Sequence, residues 1–84
     1  MIKWDERINE ILKSERGISF EEIADIISAE KYLAVIKNPN YSNQKIFVVA
    51  LKGYVFAVPF VIDGEDIFLK TIYPSRKLRM KYME

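Results

Sequence analysis

The chain has 84 residues, half of them apolar and 30% charged, with a net charge of +1. That balance describes one folded domain, expected to span residues 1–84, and a domain of this size buries only roughly 60–65% of its unfolded surface, so its core is thin. Cysteine and histidine are both absent, which excludes disulfides, thiol nucleophiles, imidazole bases and the common zinc ligand sets and leaves Lys, Arg, Tyr, Ser and carboxylates for any chemistry.

The first ten residues, MIKWDERINE, carry charges throughout and lack the apolar run of a secretory signal, so a cytoplasmic location is expected. Trp4, Ile8, Ile11 and Leu12 recur at helical spacing, with Asp5 placed to cap and Gly17 placed to stop, which predicts a helix over about 5–15. Ser19 and Glu22 stand at capping-box spacing, flanked by Ile18 and Ile23 as a hydrophobic staple. A second helix should follow to about Ala29, with Ile23, Ile26 and Ile27 as its apolar stripe. Glu21 and Glu22 open that helix, where the dipole favours acids, and need no catalytic role. Trp4 reads as a core anchor.

Tyr32–Ile36 is a short β-rich run ending in KNPNYSNQ, a cluster of turn formers. KIFVVAL and YVFAVPFVI are two further strands separated by Lys52-Gly53, and Asp63-Gly64 forms a hairpin turn into a fourth strand, DIFLKTIY. Lys52, Gly53 and Pro59 interrupt the apolar window 46–62, which is too short and too broken to span a membrane. Pro74 stops the last strand, and Ser75 can cap a short helix carrying Arg76, Lys77, Arg79 and Lys81. The predicted fold class is α+β: two N-terminal helices, a four-stranded antiparallel meander sheet and a short basic C-terminal helix. Pro59 falls inside a central strand, where it removes a ladder hydrogen bond, so a bulge is expected there. The strands are apolar on both faces while two short helices cover one. The open sheet face is therefore expected to meet a partner or a second copy, as in a homodimer.

Charge is distributed unevenly. Lys70–Glu84 holds five cations and one acid, against eight cations and eleven acids in Met1–Leu69. On the plain structural reading this is a solvated helix whose cations suit its C-terminal end. The sign asymmetry points instead to a patch for nucleic acid or an acidic partner, with Tyr73 and Tyr82 available for base stacking. Lys70 interrupts the apolar run IFLKTI. Either it reaches an edge and pairs with Asp63, Glu65 or Asp66, or it shares a cationic pocket with Arg76 and holds a phosphate. DGED at 63–66 lacks the spacing of a calcium loop, and no metal or cofactor is expected.

The landmarks KWD at 3–5, GISFEE at 17–22, the hairpin pair and KTIYPSRK at 70–77 resemble the BrnT-type toxins of bacterial type II toxin–antitoxin modules over nearly the whole chain. The resemblance implies a RelE-like fold, a ribonuclease activity that arrests translation, and a ribbon-helix-helix antitoxin as partner. Arg76 and Lys77 match the family's Arg-Lys after the last strand, and Lys45 lies near a basic position opening the second strand. Two stretches depart from the family pattern: Glu15-Arg16 stands where many members have Lys-His, and Tyr73-Pro74-Ser75 replaces small residues.

The expected chemistry is attack of a ribose 2′-OH on its own 3′ phosphate, with Lys70, Arg76 and Tyr73 as the catalytic set and Lys45, Lys77, Arg79, Lys81 and Tyr82 binding RNA. Without histidine, proton transfer falls to lysine or tyrosine, and a slow or ribosome-dependent nuclease is expected. The alternative is a catalytically inactive toxin-fold module that binds RNA or its antitoxin. A third reading is a pure interaction domain that dimerises through its sheet.

Overall fold

Capping chemistry sets the helical half of the chain. A computed structural model describes residues 1–83. Helix α1 spans Glu6–Arg16, with the Asp5 side chain accepting from the Arg7 N–H at 2.8 Å and Gly17 closing the helix at φ 66°. Helix α2 spans Phe20–Ser28 and is opened by the reciprocal capping box: Glu22 N–H donates to Ser19 Oγ at 3.2 Å, and Ser19 N–H to Glu22 Oε1 at 3.0 Å. Both starts follow from the short polar residues that precede them, which satisfy otherwise orphaned N–H groups.

Six strands form one sheet: β1 (Ile2–Trp4), β2 (Ala34–Lys37), β3 (Lys45–Leu51), β4 (Tyr54–Asp63), β5 (Asp66–Leu69) and β6 (Tyr73–Pro74), followed by helix α3 (Arg76–Tyr82). The sheet order is β1-β5-β4-β3-β2, with β6 paired to β4. The antiparallel meander from β2 to β5 is as expected, but the sheet as a whole is mixed, because β1 pairs parallel to β5 with Ile2 beside Ile67 and Trp4 beside Leu69. Three residues are too few to show a strand period. The pairing is held from its ends, where the N-terminal ammonium and Lys3 reach Asp66 at 3.3 and 3.0 Å.

The β3–β4 turn has positive φ at both Lys52 (53°) and Gly53 (77°), which matches the right-handed twist of the strands. The next turn is centred one residue later than expected. Asp63 stays in β4 opposite Asp66, and Gly64, at φ 62°, takes the positive-φ position.

The expected single strand DIFLKTIY is interrupted. Phe60 pairs with Leu69 and Ala57 pairs with Tyr73, so Val58 and Pro59 stand opposite three residues, Lys70, Thr71 and Ile72. This is a β-bulge, and the extra residue lies across from the proline rather than in its own strand. The Pro59 carbonyl accepts from the Lys70 N–H at 2.8 Å. The proline's nitrogen therefore faces that same edge and has no hydrogen to give, which explains why the ladder slips there. Leu69 and Ile72, three apart, both enter the core at 0 and 1% exposure. Lys70 and Tyr73 both emerge on the other face.

The core lies between the helices and one face of the sheet, where Leu12, Phe20 and Ile23 meet Phe47, Val58 and Phe60. Trp4 stacks on Phe20 with centroids 5.7 Å apart, and Phe47 on Phe60 at 4.2 Å. The opposite face was expected to be open, but α3 covers its centre: Val48, Val55 and Ala57 are fully buried and Ile46 nearly so. The Ser75 N–H donates to the Val55 carbonyl at 3.0 Å and the Ser75 hydroxyl caps the Leu78 N–H at 3.2 Å, so the chain turns back over the sheet instead of leaving it. Among the described residues no helix is long and apolar enough to cross a membrane.

Candidate functional site

The bulge builds the site. In an uninterrupted strand Lys70 and Tyr73 would point to opposite faces; with three residues against two, both line one depression of about 700 Å³ on the α3 face. Its far wall is the 38–44 loop. Tyr73, 39% exposed, also forms the edge of a second depression of about 700 Å³, floored by Ile36, Ile46 and Leu78 and rimmed by Lys37, Lys77 and Lys81. The tyrosine is thus the ridge of a two-part trough running from the loop to α3.

Lys70 is exposed, its Nζ 5.3 Å over the Phe68 ring, and it pairs with none of Asp63, Glu65 and Asp66. Asp66 is instead occupied by the Lys3 ammonium and the N-terminus, which hold its carboxyl below the usual aspartate range. Among the described residues none of Lys70, Arg76, Lys77, Arg79 and Lys81 forms an ion pair. Unpaired cations around a concave surface attract anions, and the attraction is screened by salt.

The remaining expected residues are dispersed. Arg76, exposed at the first position of α3, is on the wall of neither depression. Arg79 lays its guanidinium 5.2 Å over the Tyr54 ring, with Nε buried and without a hydrogen-bond partner among the described residues, so it fastens α3 to the sheet. Tyr82 is half-buried beneath Lys81, whose Nζ is 5.5 Å from the ring centroid. Lys45 pairs in register with Phe60, which faces the core, and this puts it on the face covered by α1 and α2 with the sheet between it and Lys70. Lys52 donates to the Gly17 carbonyl and meets Glu22 at 3.7 Å, bracing the α1–α2 corner.

Sequence reasoning treated the 38–44 loop as turn formers and missed it as a wall of the site. Asn38 is 9% exposed; its Oδ1 accepts from the Asn40 N–H at 3.0 Å and its Nδ2 donates to Gln44 Oε1 at 3.1 Å. The Gln44 N–H returns to the Tyr41 carbonyl at 3.0 Å. A loop so cross-bonded holds its shape before any ligand arrives. The available signal was four amides and a tyrosine within NPNYSNQ.

Asn9, fully buried, was also missed. It accepts from the Phe20 N–H at 2.8 Å and donates to Glu6 and Glu21 at 3.0 and 2.8 Å. Its amide is the main reason the Glu21 carboxyl lies below the usual glutamate range. This is a clamp between α1 and α2, remote from the trough.

Chemically, the trough offers an exposed ammonium, a phenol and several amides without a carboxylate on the walls of its loop-side half. Among the described residues no group of three or more His, Cys, Asp or Glu side chains is arranged to hold a metal ion. No family model matches the chain, and no curated protein and no solved structure is significantly similar to it.

Proposed function

We propose that the chain is a BrnT-type toxin of a bacterial type II toxin–antitoxin module, a metal-independent endoribonuclease of RelE-like fold that arrests translation in the cytoplasm and is neutralised by a ribbon-helix-helix antitoxin. The observation that carries this reading is the trough in which the bulge sets Lys70 beside Tyr73, continuous with Lys77 and Lys81. The sequence landmarks from KWD to KTIYPSRK supply the family.

In the proposed reaction the RNA 2′-OH attacks the adjacent phosphorus in line, leaving a cyclic phosphate and a free 5′-OH. Lys70 neutralises the charge that grows on the non-bridging oxygens, the effect from which a preorganised cation gains most. Tyr73 gives its phenolic proton to the leaving 5′ oxygen, while the proton of the 2′-OH passes to water and the phenol is reprotonated from solvent. Arg76 and Lys77 hold the flanking backbone from the start of α3, and Lys81 extends the track. The test is purified protein incubated with RNA, with and without ribosomes, alongside growth arrest on expression. Cyclic-phosphate fragments that disappear in Lys70→Ala and Tyr73→Phe support the reading; undiminished toxicity in both variants rejects it.

One observation favours a second reading. The chain has no histidine or cysteine, and Tyr73-Pro74-Ser75 replaces the small residues of the family pattern, which describes a toxin fold that binds RNA or its antitoxin without cutting. The same incubation separates the two: RNA shifted in mobility but intact supports the binder.

A further inference from the structure

The loop-side half of the trough combines chemistry that one ligand class satisfies together. Lys70 is the only charged side chain on its walls, and no acid accompanies it. Tyr41 is 59% exposed at the rim, and among the described residues its ring stacks on no other aromatic. Gln44 has its Oε1 committed to Asn38, which leaves its Nε2 donors unpaired among the described residues, and the Asn40 side-chain amide makes no protein hydrogen bond there. Unused amide donors and acceptors at fixed positions recognise a flat edge that itself carries donors and acceptors. A tyrosine face accepts a heteroaromatic ring, and a lone ammonium accepts a phosphate. A depression of about 700 Å³ is also within the size range of small-ligand sites.

From this we infer that the 38–44 loop forms a nucleobase-reading subsite: one unpaired RNA base stacks on Tyr41, presents its edge to Asn40 and Gln44, and passes its phosphate to Lys70. Asn38 is a positioning residue, since it touches the loop and not the base. The subsite rests on the RNA reading above and adds a base preference to it. A single-stranded segment is required, because only an unstacked base exposes both its face and its edge.

The test is equilibrium binding, which does not depend on cleavage: fluorescence anisotropy of the intact protein with short A, C, G and U homopolymers. The variants are Asn40→Ala and Tyr41→Ala, whose side chains support no other part of the fold, with circular dichroism to confirm that each is folded. The wild type should prefer one homopolymer by roughly 5- to 150-fold, the discrimination an amide–base pair supplies, and Asn40→Ala should remove that preference. Tyr41→Ala should weaken all four by a similar factor. Equal binding of all four, no binding, or a preference that survives both variants overturns the subsite. Base-selective binding without cleavage sinks the ribonuclease and keeps the subsite, whereas cleavage with no base preference does the reverse.

Discussion

On the face covered by α1 and α2, Lys13 and Lys52 are tied to the fold, while Lys45 at the end of β3 stands there without an ion pair among the described residues. Lys13 lies 3.3 Å from Glu10 and 3.8 Å from Glu21, which raises its ammonium pKa, and Lys52 braces Gly17 and Glu22. On the α3 face the cations from Lys70 to Lys81 have no acid partners among the described residues and Arg79 is engaged in packing, while Lys3, out at the β1 edge, pairs with Asp66. Each face buries the same kind of apolar strand, so the hydrophobic requirement is met twice while charge is treated in opposite ways. The braces Lys13 and Lys52 are thus separated by the sheet from Lys70, Lys77 and Lys81, which are left free for a ligand. Substitutions on the first face should therefore cost stability and those on the second should cost activity, and each prediction below can break that division.

The largest effect is expected at Phe20, fully buried and stacked on Trp4. Phe20→Ala should lose about 3–5 kcal/mol in denaturant unfolding, enough to leave so small a domain barely folded. Next is Lys70→Ala, for which RNA cleavage should fall by about 10²- to 10³-fold, as when one transition-state charge partner is removed. Its denaturation midpoint should stay put; a large shift there would mean that Lys70 belongs to the scaffold after all.

Asn9→Ala should cost about 1–3 kcal/mol by orphaning the Phe20 N–H, and should bring the Glu21 carboxyl back toward its ordinary pKa in an NMR titration. Ser75→Ala should cost about 1 kcal/mol. Hydrogen exchange should show the loss confined to α3, with the α1 and α2 amides still protected; loosening of all three helices together would contradict two independent faces.

Acid supplies the mildest test. Asp5, Glu21 and Asp66 all have carboxyls below their ordinary values of 3.8, 4.5 and 3.8, held there chiefly by the Arg7 N–H, the Asn9 amide and the Lys3 ammonium. Groups depressed in the folded state stabilise it above those values and lose that contribution as pH falls through the folded pKa. Stability should therefore decline as pH drops below about 4.5 and continue down past 3.8, with Asn9→Ala removing the Glu21 part of the slope.

Local signals carried much of this architecture. Asp5, Gly17, Ser19 and Glu22 mark helix ends through short-range hydrogen bonds, and Lys52-Gly53 marks a turn, so both helices and the meander are legible from neighbouring residues. The parallel β1 is not, because its partner lies more than sixty positions away and three residues show no period. Pro59 signalled a bulge but not which strand would carry it, since that depends on the edge its nitrogen faces. The basic tail was legible as a charge cluster. Its division was not: Arg79 packs on Tyr54 and Arg76 stays outside the depressions, and outside the tail Lys45 lies beyond the sheet, all of which depend on three-dimensional register.

The three residues opposite Val58 and Pro59 make chain length, more than side-chain identity, the sensitive property of segment 70–72. Thr71 can change its side chain at little cost, and its deletion would leave two residues against two, so that Ile72 stays opposite Val58 in the core and Tyr73 stays opposite Ala57 beside Lys70. An inserted residue would instead make every later side chain of the strand exchange faces: Ile72 would leave the core for solvent and Tyr73 would be driven into it. A single-codon insertion there should do more harm than a single-codon deletion or a substitution of Thr71.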